Sequence, residues 1–332
     1  MSEHSRLKQT LNNTTMNNKS SHFTPSTRGG NGRGLLLFLV LFTFITSSVM
    51  AQTHTNYELR YATHPADVKH YDTQTLRDRF VIEKLFSPDS VNLVYTIHDR
   101  FIVGGVMPVK ESVHLETIEP LKAPNFLHRR ELGIINVGGT GRVKVGDKEY
   151  ELKNREALYV GSGDHEVYFS SSDAAHPAHF YFNSAAAHTS YPTKKVTLAD
   201  ADVLKAGTAA ESNDRVINRL IVQKTVTTCQ LQMGMTELKS GSVWNTMPAH
   251  THSRRMEAYF YFDLPETQAV SHFMGEPQET RVVWLHNEQA VISPEWSIHA
   301  GAGTASYTFI WGMAGENLNY SDMDGVKPTE LR

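Results

Sequence analysis

From Tyr57 onward, short runs of Val, Ile, Tyr and Phe recur between Gly, Pro, Asn and Asp at intervals of roughly 8 to 12 residues, which restricts the chain to a β-sandwich or barrel. Phe101–Val103 precedes Gly104 and Gly105, Gly133–Val137 precedes Gly138 and Gly139, and Val143–Val145 precedes the Gly146-Asp147 turn. Long segments with a 3.6-residue apolar period are absent, so only short helices are expected, near Asp72–Lys84 and Leu198–Lys205. The chain also repeats itself. His128–Leu132 can be laid over Ser253–Glu257, Ala157–Gly161 over Ala290–Pro294, and Phe180–Asn183 over Phe309–Gly312, always in one order. A common order of matches indicates internal duplication. The expected fold is therefore all-β: two similar barrels in tandem, residues 55–195 and 196–332, with a few short helices, joined near Lys194–Asn213.

Composition narrows the function. A lone Cys229 among 332 residues excludes an intramolecular disulfide and a multi-Cys zinc site. A formal charge of −3 gives no basic excess of the kind that nucleic-acid binders carry, so no nucleic-acid partner is expected. Seventeen His are more than packing requires and direct attention to metal or proton chemistry.

Residues 1–34 are rich in Ser, Thr, Asn and Gly, with Arg6, Lys8, Lys19, Arg28 and Arg33 against Glu3. Such a stretch cannot bury a core and is expected to be disordered. Leu35–Ile45 is an apolar run, followed by Val49-Met50-Ala51. The whole, residues 1–51, reads as a basic leader and a secretory signal peptide cleaved after Ala51. The run is shorter than the roughly 20 residues of a membrane span, so no stable span is expected after cleavage. The product would be exported, and periplasmic in a bacterium; a start near Met50 would leave it cytoplasmic. Cleavage removes five basic residues and one acidic one and takes the formal charge from −3 to −7.

The segment richest in chemistry is Pro248–Phe262. In a strand, successive side chains alternate faces, so His250 and His252 point the same way and Thr251 points away. Glu257 follows a polar gap, Ser253 to Met256, and the chain can turn there to bring its carboxylate to the same centre. His299 is available as a fourth donor. Three imidazoles and one carboxylate suit a catalytic metal with positions left for water or substrate. Alternation from Glu257 would also place Arg255, Tyr259 and Tyr261 on the metal side, as candidates for a substrate carboxylate and hydroxyl contacts. Lys194 and Lys195 are a further basic pair that reads as solvated linker. In the first half the overlay sets Asn125, Leu127 and Leu132 at the places of His250, His252 and Glu257, so that barrel is expected to be metal-free. His165, His176, His179 and His188 have the spacing of loop residues rather than of one site.

The His-x-His-x4-Glu core with a distant His resembles the paired motifs of the cupin superfamily. Gly241 lies farther upstream than in that pattern, no Gly follows Glu257 at the usual distance, and Trp296 stands at the place of a motif Gly. These departures touch turns rather than ligands. Residues from about 55 to 332 further resemble the 5-keto-4-deoxyuronate isomerase family, the 4-deoxy-L-threo-5-hexosulose-uronate ketol-isomerases. The matching stretches are Ile102–Pro108, Arg129–Gly133, Tyr191–Val196, Trp244–Pro248, Pro277–Arg281, His286–Pro294 and Tyr307–Met313. The resemblance implies a bicupin fold, one zinc ion per subunit held by His250, His252, Glu257 and His299, a hexamer, and a small uronate substrate from pectin breakdown. It also implies an aldose–ketose isomerisation giving 3-deoxy-D-glycero-2,5-hexodiulosonate, in the cytoplasm. The residues themselves leave open a cupin dioxygenase and a non-catalytic carbohydrate-binding cupin, and they do not identify the general base.

Overall fold

The computed structural model describes residues 55–332; the leader and signal peptide expected over residues 1–51 lie outside the described residues. Two large sheets and two small ones form two barrels. The first large sheet has seven strands in the order Thr55–Arg60, Val91–Thr96, Ile102–Val106, Phe180–Ala186, Arg130–Asn136, Ala157–Val160, Lys194–Val196. A four-stranded sheet built around Gly141–Val145 and Val167–Ser171 faces it. Leu132, Ile134, Phe180 and Phe182 from one sheet and Val143, Val167 and Phe169 from the other share one core between them. The second large sheet runs Asp202–Ala206, Arg215–Ile221, Gln232–Leu238, Thr308–Gly315, Arg255–Phe262, Gln289–Ser293, Val81–Ile82. It is faced by the four strands Trp244–Asn245, Ala300–Gly303, Val270–Met274 and Arg281–Leu285.

The register of pairing bears out the duplication. Phe180 pairs with Asn136, and Phe309 with Tyr261; Ala157 pairs with Ile135, and Ala290 with Phe260. These are the same residues that the overlay makes equivalent, so the two halves agree in register and not merely in strand order. The repeat is not self-contained in each half, however. The edge position filled by Lys194–Val196 in the first large sheet is filled in the second by Val81–Ile82, which comes from the N-terminal half and pairs with Val291 and Ala290.

The two large sheets lie back to back. Val103, Ile135, Tyr159 and Tyr181 from the first pack with Met235, Ala258, Phe260 and Ile310 from the second in one buried cluster. The rings of Tyr181 and Phe260 stack at 4.6 Å. Asn183 and Gly312, equivalent in the overlay, meet here, and a Cβ on Gly312 would collide with the Asn183 amide. This double burial explains why Arg130–Asn136 and Arg255–Phe262 are buried at every residue although both carry charged side chains.

Of the two expected helices one is present. Thr73–Phe80 is helical, with Asp72 accepting from the Thr75 N–H at 2.7 Å as its N-cap; a four-residue helix, Pro65–Val68, precedes it. The helix expected over Leu198–Lys205 is instead a turn followed by the strand Asp202–Ala206, which pairs antiparallel with Arg215–Ile221. Its backbone gains a ladder partner, while Val203 and Leu204 stay exposed, so their spacing was not that of a buried helix face. Among the described residues no helix is long and apolar enough to cross a membrane.

Each half also caps the central strand of the other. The fully buried Glu131 carboxylate accepts from the Tyr159 hydroxyl at 2.8 Å and from the backbone N–H groups of Cys229, Gln230 and Leu231 at 2.7 to 2.8 Å. Reciprocally, Asp99 accepts from the N–H of Met256, the residue equivalent to Glu131, at 2.8 Å. Glu131→Ala leaves four donors, those of Tyr159 and Leu231 buried and those of Cys229 and Gln230 part-buried, without their acceptor and is expected to cost about 3 kcal/mol, read as a lower urea midpoint; Glu131→Gln should cost less. An unchanged midpoint in the Ala variant would show that the 229–231 loop has another anchor.

Candidate metal centre

The four predicted ligands converge inside the second barrel. Glu257 lies on the central strand Arg255–Phe262, opposite Ser293 on one side and Met313 on the other. His250 belongs to the short strand His250–Thr251, which pairs with Asp324–Gly325 near the C-terminus. A tight turn closed by the Arg255 N–H on the His252 carbonyl, 3.1 Å, carries the chain from this strand to the central one. His299 immediately precedes the strand Ala300–Gly303, and its Nδ1 lies 3.2 Å from the Ser293 hydroxyl. One ligand atom from each residue lies within 4.8 Å of all the others.

The contacts form a ring. His250 Nε2 is 3.1 Å from His252 Nε2 and 3.0 Å from His299 Nε2, and Glu257 Oε2 is 3.0 Å from both His252 Nε2 and His299 Nε2. His252 Nδ1 lies 3.0 Å from the Asp322 carbonyl. A carbonyl only accepts, so Nδ1 carries a proton, which leaves Nε2 as the nitrogen available to a metal. Burial, reinforced by His299 and His252, pushes His250 down to about 2, so its imidazole is neutral. Burial alone would raise Glu257, but His299 and His252 outweigh it and hold the carboxylate below its usual range. An imidazole nitrogen of each His and a carboxylate oxygen thus converge at close range, and a cation at their centre would compensate the buried carboxylate. Donors about 2.0 to 2.2 Å from such an ion stand roughly 2.8 to 3.1 Å apart when they subtend a right angle at it and roughly 3.3 to 3.6 Å apart at the tetrahedral angle, and the ring contacts of 3.0 to 3.1 Å match the right-angled case. The four residues fit a metal ion.

Residues behind the ring hold it in place. The Arg254 guanidinium is bidentate on the Asp322 carboxylate, at 2.8 and 2.7 Å, and keeps that carboxyl at about 2. The pair fixes the carbonyl that orients His252. From the first half, His98 Nδ1 lies 3.0 Å from the Glu295 carboxylate, and the Glu295 carbonyl accepts from the His252 N–H at 3.3 Å.

A cavity of about 280 Å³ opens beside the ring, lined by His250, His252 and Glu257 together with Tyr259, Arg215 and Tyr320 and largely apolar walls such as Phe309, Trp311 and Met313. Of the three candidate substrate contacts, only Tyr259 lines it; its hydroxyl is 2.8 Å from Thr246 Oγ1. Two expectations need correction. Arg255 is almost fully buried behind His252, with Nη2 donating to the Asp322 carbonyl at 2.7 Å. Tyr261 turns its hydroxyl to His272 Nδ1 at 2.8 Å, deeper in the barrel. Both share the face of Glu257 as alternation requires, but the barrel curves, and its cavity reaches only the middle of that face. Lys195 pairs with Glu156 at 2.7 Å and Lys194 donates to the Thr225 carbonyl at 2.6 Å, both outside the cavity. His176 and His179 pair with Asp173 and Glu288. Among the described residues, the ring is the one group of three or more His, Cys, Asp or Glu placed to hold a metal. At the equivalent places in the first barrel, Leu127 and Leu132 are core residues.

Arg215, Tyr320 and Asp322 were missed. Arg215 reaches the cavity only through barrel closure, from a strand three places away in the sheet. Tyr320 and Asp322 come from the C-terminal segment, whose pairing with His250–Thr251 has no periodic signal. The one available hint was alternation along Arg215–Ile221, which puts Arg215, Ile217 and Arg219 on one face.

In chelator-treated protein, acid should destabilise the fold. Burial pushes His272 down to about 3, as it pushes His250 to about 2, whereas both titrate near 6.5 when unfolded. Below that pH the unfolded chain binds protons the folded one refuses, so stability falls by roughly 1.4 kcal/mol per pH unit for each imidazole. Urea midpoints between pH 7.5 and 5 measure this; a flat profile would mean that these imidazoles take up protons while folded.

Comparison with known proteins follows the same lines. A model of the KduI/IolB family matches residues 80–325. A 4-deoxy-L-threo-5-hexosulose-uronate ketol-isomerase from Bacteroides fragilis is 63% identical over 278 residues, 84% of this chain and 99% of the relative. The enzyme of that name from Yersinia pseudotuberculosis is 55% identical over 277 residues, covering 83% of this chain and all of the relative. A solved IolB-like protein from Salmonella typhimurium superposes with a TM-score of 0.56 at 16% identity, over 68% of this chain and 86% of that one, a likeness of fold.

Proposed function

The chain belongs to the KduI/IolB family, and on that premise we propose that it is a metal-dependent ketol-isomerase. Its substrate would be the open-chain 4-deoxy-5-keto uronic acid 4-deoxy-L-threo-5-hexosulose uronate, and its product 3-deoxy-D-glycero-2,5-hexodiulosonate. The observation that carries the reading is the ring of His250, His252, Glu257 and His299 at the wall of a cavity with room for a small sugar acid. We assign these four as ligands of one Zn2+ per subunit, as the family resemblance implies. When bound, the ion supplies a Lewis acid that polarises a carbonyl oxygen and favours loss of the neighbouring proton.

The remaining work falls to the chain's own side chains. The apolar walls exclude water and strengthen each polar contact inside. Tyr259 lies at the ring, its own ring 5.3 Å from that of His299. Burial raises its pKa, and likewise pushes Tyr320 up to about 12, so both hydroxyls keep their protons at neutral pH. They serve as hydrogen-bond donors to substrate oxygens, with Thr246 orienting Tyr259. Glu257 is the one carboxylate lining the cavity and is committed to the ring. Arg254, Asp322, Glu295 and His98 act as positioning residues.

The test is incubation of zinc-loaded protein with the uronate, following loss of the aldehyde proton signal by NMR. His250→Ala or His299→Ala should lower bound metal and turnover by at least about 100-fold, with an unchanged far-ultraviolet circular dichroism spectrum. Full turnover in either variant would place the site elsewhere, and oxygen consumption without isomerisation would favour a dioxygenase. We further propose a hexamer, checked by light scattering, and export with cleavage after Ala51, checked by sequencing the mature N-terminus. A product beginning at Met1 or Met50 would overturn cleavage.

A further inference from the structure

The cavity beside the ring has two chemically different ends. One carries imidazoles and Glu257; the other carries Arg215, the sole Lys or Arg side chain among its lining residues. Arg215 opens the strand Arg215–Ile221, three places along the sheet from the strand that carries Glu257, or about 14 Å along the curved surface at ordinary strand spacing. A ligand lying in the cavity can therefore meet the ring with one end and the guanidinium with the other.

The arginines nearby are already committed. Arg219, four residues on and facing the same way, is paired with Asp202 at 2.6 Å and lies over the Tyr320 ring. Arg254 is bidentate on Asp322, and Arg255 is buried behind His252. Arg215 differs. It donates one N–H to the Asn213 carbonyl at 2.8 Å, and among the described residues no carboxylate stands within ion-pair distance of it. A guanidinium keeps its charge at any working pH. Half-buried between apolar walls, it has given up hydration, and the carboxylate that acts on it, Glu211, stands beyond ion-pair distance; its remaining donors form a planar fork that matches a carboxylate.

We propose that Arg215 receives the substrate's carboxylate and so selects sugar acids over neutral sugars, the carbonyl end of the same molecule lying at the ring. This rests on the isomerase reading for the identity of the substrate, but the recognition of a carboxylate can be tested apart from turnover.

The experiment compares wild type, Arg215→Gln and Arg215→Lys on the uronate and on its methyl ester, with metal content measured in each. Calorimetric titration with D-glucuronate and its methyl ester provides the arm that needs no turnover. The wild type should prefer acid to ester in both arms. In Arg215→Gln that preference should fall by about 10- to 150-fold, the worth of hydrogen bonds to a charged group, chiefly through KM, with metal content unchanged. Arg215→Lys, which keeps the charge and loses the fork, should retain part of it. An undiminished preference in Arg215→Gln, or an equal loss on acid and ester, would overturn the assignment. If the wild type turns over neither compound but binds glucuronate in an Arg215-dependent manner, the isomerase reading fails and the carboxylate site stands. Glucuronate binding that ignores Arg215 overturns the site itself.

Discussion

The burial of two seven-stranded sheets against each other decides where chemistry can occur in this molecule. The strand Arg255–Phe262 is covered on both faces, so its alternate residues enter different environments. Met256, Ala258, Phe260 and Phe262 fill the layer between the sheets, whereas Glu257, Tyr259 and Tyr261 point into the barrel. A carboxylate there is tolerable only when compensated, and Glu257 finds its compensation in His252 and His299, with His250 completing the ring. The same layer explains why residues of the first half, His98 and Asp99, can reach the backbone and neighbours of the ring at all.

The duplication has been put to asymmetric use. The register of the inner strands and the inward-turned arginines Arg130 and Arg255 are common to both halves; each guanidinium is buried and donates to backbone carbonyls. What differs is the lining. Leu127 and Leu132 complete an apolar interior in the first barrel, while His252 and Glu257 line a cavity in the second. The first barrel in turn presents the fully buried Glu131 to the 229–231 loop. Scaffold and site have separated within one repeated architecture.

Three of the ring's four donors were legible in the sequence because they are local, and the distant His299 was read from the likeness to the paired cupin motifs. His250 and His252 share a pleat face by alternation, and Glu257 follows within the reach of one turn. The duplicated fold was equally readable, since its matches fall on buried strands whose register is set by burial on both faces. Long-range closure hid the rest. Alternation correctly put Arg255 and Tyr261 on the face of Glu257 but could not say how far along that face the cavity extends. Arg215 and Tyr320 enter through sheet curvature and a C-terminal segment, neither of which leaves a period in the chain. The strand at Asp202–Ala206 was misread because a short apolar spacing does not distinguish an exposed edge from one turn of helix.

The exchanged edge strand has a consequence for how this protein could be divided. A fragment beginning at residue 196 would carry all four donors of the ring, yet it would lack Val81–Ile82, the neighbour of the strand that ends at Ser293. Ser293 lies opposite Glu257 and touches His299, so the missing edge adjoins the ring's own support. The N-terminal fragment would present the same two residues with no sheet to join. The halves are thus better regarded as complementing fragments than as modules, and the duplicated ancestry visible in the sequence does not survive as separable parts.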